Sequence, residues 1–403
     1  MLHFCVHFYL RTAHIGQRGT SGREQRDCSQ NSTLGYRATP TNTFSYFILF
    51  EMGLPDTYVD GFHDKAAVEK MTYTQLGETN LRISKLGIGG GAYSGFYGEF
   101  EQSEVAETVE YGLKSGMNYI DTAPYYGAGR SEIALGKALK SKAIPRESFY
   151  ISTKVGRYKS DWATLDYSKA RVQKSVEESL ERLGLTYVDI VIVHDVEFTD
   201  KKQIVEETLP ALEELVKAGK IRYLGVSGYP LSDIWEVIEK SSVRVNVIIT
   251  YARDTLLDST LDEYVTRLKT KGVGIINASP TGCQLLTNKG PEEWHPANNR
   301  IKELCNSAAK YCKEHNVELG TLAVSTALQS PNTQVCLVGM MTKQIMKSNL
   351  DLLHNGLSSD ERSVLEYLKT HIFNKKENMH WEGVEIKIFK EHMASIGKPV
   401  TYM

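Results

Sequence analysis

Residues Tyr167–Asp195 read YSKARVQKSVEESLERLGLTYVDIVIVHD, and two adjoining patterns in this stretch decide the fold. Up to Gly184, Val172, Val176, Ser179, Leu180 and Leu183 recur at helical spacing with charges on the opposite face, and the glycine is a C-terminal stop. The run DIVIVH that follows does not alternate. It is apolar almost throughout, as a strand buried on both faces is. Helix followed by doubly buried strand is the signature of parallel strands joined by crossover helices.

Outward from this unit the same alternation repeats. Further strand candidates are KLGIGGG, NYID, FYISTK, RYLGVSG, VNVIIT, VGIINASP and TQVCLVGM, and the segments IVEETLPALEELVKAGK and STLDEYVTRLKTKG repeat the helical form, each ending in glycine. Eight such units over roughly 280 residues predict a single-domain (β/α)8 TIM barrel, whose usual size is ~250. An open doubly wound sheet is the rival. It is disfavoured because GIGGG is not G-x-G-x-x-G and no acid stands at the ribose-binding distance after it. The expected organisation is a disordered extension or presequence over 1–51, a lead-in over 52–72, the barrel over 73–368 and a tail over 369–403 that folds across the barrel rim.

The 403 residues carry a net charge of −2, with 41% hydrophobic and 24% charged residues. This balance argues against nucleic acid or an anionic membrane as the partner, and no apolar run approaches the ~20 residues of a membrane helix. Cysteines at 5, 28, 283, 305, 312 and 336 match no zinc-ligand spacing, so no metal is expected. The first fifty residues contain five arginines and no lysine and show no helix or strand period. A cytoplasmic protein is the expected case, and a mitochondrial one if that segment is a genuine presequence.

In a barrel the chemistry sits where strands end. Asp121 and Tyr126 follow the second strand, Lys154 ends the third and His194 closes the fourth. Each has a bland reading on its own: turn former, boundary aromatic, snorkelling lysine, core histidine. All four at consecutive strand ends suggest proton transfer to a carbonyl. A lysine ammonium ~4 Å from tyrosine, at an effective dielectric of ~20, favours phenolate by roughly 4 kcal/mol, or about three pKa units before desolvation opposes it. Asp121 would hold the lysine charged, and His194 would orient the substrate oxygen. With no metal motif or nucleophile triad, such a site needs a hydride from a nicotinamide cofactor.

The segments DTAPYYGAGRSE, STKVG, VHD, GKIRYLGVSG, NASPTG and VGMMTKQIMKSN together resemble the aldo-keto reductases over about Tyr73–Leu353. Within that family, HDVEF and the loop GPEEWHPA (Gly290–Ala297) are similar to the L-galactose dehydrogenase group. The resemblance implies NAD- or NADP-dependent hydride transfer to or from a small carbonyl or sugar substrate, with Asp121, Tyr126, Lys154 and His194 as the tetrad. A cofactor-binding regulatory subunit with little turnover is the alternative. It also implies that Gly91 and Asp121 lie by the cofactor, Ser227 by the nicotinamide, Ser279, Gly282 and Leu285 along the pyrophosphate, and Gly339, Met341, Gln344 and Asn349 around the adenosine. Tyr93 and Trp381 are expected to wall the substrate pocket. Three positions depart from the family's common residues: Gly228 follows Ser227, Ile248 stands in the sixth strand and Ala278 in the seventh. NAD is slightly favoured, because Met340, Met341 and Ile345 stand where 2′-phosphate-binding residues are common and only Lys343 and Lys347 are near.

Overall fold

The computed structural model describes residues 53–374 and 379–401; the expectation for residues 1–51 falls outside them. Eight parallel strands close into a barrel. They are β3 (Leu86–Gly89), β4 (Tyr119–Asp121), β5 (Tyr150–Val155), β6 (Val188–Val193), β7 (Ile221–Gly228), β8 (Val247–Tyr251), β9 (Gly274–Ala278) and β10 (Val335–Val338), with β10 pairing back onto β3. Every residue of β5, β6 and β10 is buried, which is why these runs lack alternation: one face fills the barrel and the other meets the helix layer. The helix Lys169–Leu183 buries Val172, Val176, Ser179, Leu180 and Leu183 and stops at Gly184, whose φ of 66° is left-handed.

The sequence pattern did not separate out a short antiparallel hairpin, β1 (Tyr73–Gln75) and β2 (Arg82–Ser84), that precedes the barrel. Three-residue strands are too short to show a period. Leu76, Leu81 and Ile83 of this hairpin join Tyr119, Ile190, Ile192, Val247 and Ile276 in the cluster that fills the barrel interior. The hairpin turn passes so close to the start of β9 that a Cβ on Gly77 (φ +56°) would lie 2.3 Å from the Gly274 nitrogen. Only glycine fits there.

The tail crosses the rim as expected, but it carries a helix over Val384–Ser395, where the sequence pattern around Trp381 shows no helical period. Packing rather than amphipathic pattern holds it. Phe389 packs edge-on against the stacked pair Trp162 and Phe198, with ring centroids 5.3 Å from each, and Arg253, just past β8, binds Glu382 at 2.6 Å. Trp162 and Phe198 stand in the loops after β5 and β6, so the tail sits over the strands' C-terminal ends.

Candidate active site

The C-terminal ends of β4 and β5 bring three of the four candidates into direct contact. Lys154 Nζ donates to Asp121 Oδ2 at 2.6 Å, to the Thr122 carbonyl at 2.9 Å and to the Tyr126 hydroxyl at 3.1 Å. Asp121 is held from its other side by the Ser152 hydroxyl at 2.7 Å, and Tyr119 shares a 2.7 Å hydrogen bond with Ser152. The chain reverses sharply after Tyr126, where Gly127 has a φ of 66° and its absent Cβ would lie 2.1 Å from the Ser94 carbonyl oxygen. A glycine after the tyrosine is therefore a steric requirement, and it fixes where the phenol points.

His194, at the end of β6, stands edge-on to Tyr126 with ring centroids 6.0 Å apart and planes at 89°. Burial drives its pKa down to about 3, with Asp195 opposing and Lys154 and Arg157 adding to the fall. The imidazole is therefore neutral at neutral pH, and its buried Nδ1 has no hydrogen-bond partner among the described residues. The expected phenolate is not favoured in this site. Burial raises the Tyr126 pKa well above 10, and Asp121, Asp195 and Tyr125 add to it, with only Arg157 opposing. The physical reason is that Lys154 arrives already paired: the lysine and Asp121 together are close to neutral, so desolvation wins.

Arg157 and Asp195 add polar contacts around these residues that the sequence pattern does not signal. Arg157, beyond β5, pairs with Asp195 Oδ2 at 2.5 Å and donates to the Tyr125 hydroxyl at 3.2 Å. Asp195, next to His194, has a φ of 52°, an uncommon conformation for a non-glycine residue that tends to occur at functional sites. Its Oδ1 is 3.7 Å from His194 Nε2. The strained acid is invisible in sequence, but three successive polar residues, Ser152, Thr153 and Lys154, in a wholly buried strand are a readable signal.

A cavity of about 430 Å³ opens beside Tyr126 and Asp121 and extends toward the ends of β9 and β10, where Ser279, Cys283, Gly339 and Met341 line it. A Cβ on Gly91 would enter it, 4.0 Å from the Tyr126 ring. Ser279, Gly282, Cys283 and Gln284 all have positive φ, between 50° and 79°, the kind of backbone that turns amides toward an anion. Gly91, Asp121, Ser279, Gly339 and Met341 thus border the cavity. Ser227 does not: it is buried, with its hydroxyl accepting from the Asp195 amide at 3.2 Å. Leu285 is core, Asn349 is buried and donates to the Ile345 carbonyl at 2.8 Å, and Gln344 is exposed. Gly282 lies just outside, its carbonyl bonded to His295 at 3.0 Å.

The two substrate candidates lie elsewhere. Tyr93 is fully buried with its hydroxyl donating to the Met340 carbonyl at 2.9 Å, and it is Tyr97 and Phe96 that face the cavity. Trp381 is buried in a stack on Tyr229, ring centroids 4.7 Å apart, with His295 edge-on at 4.8 Å. Trp294 is the tryptophan that borders the cavity. No helix among the described residues is long and apolar enough to cross a membrane, and no metal-binding cluster occurs among them.

Residues 85–369 match the Aldo/keto reductase family. The chain belongs to this family. It is 38% identical over 317 residues to L-galactose dehydrogenase of Arabidopsis thaliana, covering 77% of this chain and 97% of the relative. It is 32% identical to D-arabinose 1-dehydrogenase of Saccharomyces cerevisiae, covering 75% and 94%. Among solved structures, the holo form of aldo-keto reductase AKR11C1 from Bacillus halodurans superposes with a TM-score of 0.57 at 26% identity, covering 74% of this chain and 96% of that one. This aldo-keto reductase is accordingly an oxidoreductase enzyme.

Proposed function

We propose that the chain is an NAD(P)-dependent aldose dehydrogenase, similar in activity to L-galactose dehydrogenase, in which Tyr126 exchanges the proton with the substrate oxygen. The observation that carries this reading is the single lysine nitrogen placed between Asp121 Oδ2 and the Tyr126 hydroxyl, at 2.6 and 3.1 Å. A bound nicotinamide supplies or takes the hydride. Tyr126 gives its proton to the carbonyl oxygen in reduction and receives it in oxidation. Lys154 stabilises the phenolate character that develops as the proton leaves, and Asp121 with Ser152 keeps the ammonium in place. Neutral His194 can donate one hydrogen bond to the same oxygen without introducing charge.

The residues bordering the cavity suit a dinucleotide. The bare backbone at Gly91 leaves room beside Tyr126, the left-handed run through Cys283 and Gln284 offers amides to a pyrophosphate, and Gly339, Met341 and Ile345 offer an apolar bed for the adenosine. NAD is favoured over NADP, because among the described residues no lysine or arginine lines the cavity, whose wall at this end is Met341 and Ile345. The names of the relatives, a galactose and an arabinose dehydrogenase, support an aldose as substrate. The test is purified enzyme with each cofactor and a panel of aldoses and simple aldehydes, followed by nicotinamide absorbance. Turnover of aldoses is expected. Cofactor binding with no turnover across the panel would instead mean a cofactor-binding regulatory subunit.

A further inference from the structure

We infer that Glu385 reads the substrate: its carboxyl, carried into the barrel mouth by the first turn of the C-terminal helix, hydrogen-bonds hydroxyl groups of an aldose and selects it over aldehydes that lack them. This rests on the reading above that a carbonyl reacts at Tyr126.

The placement is built from several contacts. Gly383 adopts a φ of 82° and starts the helix Val384–Ser395, which puts Glu385 in its first turn. The Tyr251 hydroxyl and Trp381 Nε1 each donate to Glu385 Oε2 at 3.2 Å, and Tyr251 is the last residue of β8. Oε1 has no protein partner among the described residues. The carboxyl therefore stands above the barrel with one oxygen held and one available. Arg253, gripping Glu382 at 2.6 Å, and Trp381, stacked on Tyr229, keep this turn from swinging away.

The charges around it define what it can bind. Phe389, four residues along the same helix, packs on Phe198 with ring centroids 5.3 Å apart, and the Arg157 guanidinium lies 5.6 Å from the centre of that Phe198 ring. The Arg157–Asp195 pair and the Tyr125 hydroxyl lie in the same neighbourhood, and Arg157 Nε is buried without a partner. Along this rim a carboxyl, an ion pair and phenol groups offer both donors and acceptors, which suits vicinal hydroxyls. A simple aldehyde would leave them unpaired, and sites of this kind reject such analogues strongly. The ordinary role for an acid in a first helical turn is to complement the helix dipole. An exposed acid serves that purpose. Glu385 instead sits where burial and the nearby Asp195 both raise its pKa, a cost that the dipole alone does not require.

The test compares wild type with Glu385→Gln and Glu385→Ala. The ratio of kcat/KM for L-galactose to that for methylglyoxal should fall at least tenfold in both variants, mainly through KM for the sugar, with cofactor Kd and melting temperature close to wild type. Calorimetric titration of the sugar into the cofactor-loaded proteins should show the same weakening. An unchanged ratio and unchanged sugar affinity would overturn the assignment, as would an equal loss on both substrates. If wild type turned over no carbonyl, the hydride-transfer reading would fail, while the titration would still decide whether Glu385 holds a sugar.

Discussion

Lys154 Nζ stands 3.1 Å from the Tyr126 hydroxyl and donates to it, across a buried space that also contains Asp121. This contact makes two substitutions informative. Tyr126→Phe removes only the hydroxyl and leaves the ring packed against His194. Turnover should fall by at least the ~10² typical of lost general acid–base catalysis, with cofactor Kd almost unchanged. Lys154→Met should give a similar loss of kcat, since the phenol then loses the ammonium that donates directly to its oxygen. Near-normal steady-state turnover in either variant would remove Tyr126 as the proton carrier.

The tail's attachment is a second quantitative case. The Arg253 side chain is 1% exposed and pairs with Asp258 at 3.1 Å and Glu382 at 2.6 Å, while its guanidinium lies 4.7 Å from the centre of the Tyr229 ring. Arg253→Met leaves the equally buried Asp258 carboxylate without that partner, and breaking a buried pair in this way costs ~3–5 kcal/mol. Glu382→Gln, at the more exposed end, should cost ~1 kcal/mol or less. Urea unfolding measures both, and limited proteolysis should cut the tail faster in the arginine variant. Equal small effects would mean that the stack of Trp381 on Tyr229 holds the tail without help.

What the sequence revealed followed from periodicity and strand ends. DIVIVH could be read as a barrel strand because all its residues are buried, and Asp121 and Lys154 were legible because each falls at or beside the end of such a strand. Asp195 and Arg157 were not. Their meaning lies in a pairing between residues 38 apart in the chain and in a backbone angle, neither of which any local pattern encodes. Tyr93 and Tyr97 show the same limit from the other side. Both follow β3, but a turn of the chain between them buries the first against Met340 and gives the second to the cavity. Glu385 lay hidden because its helix is anchored by edge-on aromatic packing of Phe389 rather than by an amphipathic stripe.

His295, in the Gly290–Ala297 loop, predicts a pH effect on stability. Its Nδ1 accepts from the Ala297 amide at 3.0 Å, so the proton belongs on Nε2, which donates to the Gly282 carbonyl at 3.0 Å. Burial lowers its pKa to about 4, and protonating Nδ1 would break the first bond. Between pH ~6.5 and ~4 the unfolded chain therefore binds a proton that the native protein does not, and stability falls as pH falls, by about 3 kcal/mol across the window. Glu197 and Glu385, with raised pKa values, act in the opposite sense, so the comparison must be with His295→Gln. That variant keeps a donor and an acceptor but cannot titrate. Its urea midpoint should depend less steeply on pH than that of wild type through this range, and parallel curves would refute the assignment.

Cofactor choice follows from Glu104. Its Oε1 accepts from the Lys343 backbone amide at 3.0 Å, at the start of the helix Lys343–Asn355. A free helix N-terminus attracts a phosphate, but here a carboxylate already occupies the position and repels a second anion. The Lys343 ammonium is drawn the other way, to 3.9 Å from Glu107 and over the Tyr111 ring at 5.6 Å. Met341 and Ile345 present an apolar wall to the cavity, and a dianion against thioether and alkyl groups is desolvated with little return. Dissociation constants for both cofactors at one ionic strength should show NAD bound at least as tightly as NADP. Glu104→Gln removes the competing charge and should shift the ratio toward NADP several-fold, an effect that weakens as salt is added. A tenfold preference of wild type for NADP, about 1.4 kcal/mol, would show that Lys343 leaves Glu107 and turns to the 2′-phosphate when the dinucleotide binds.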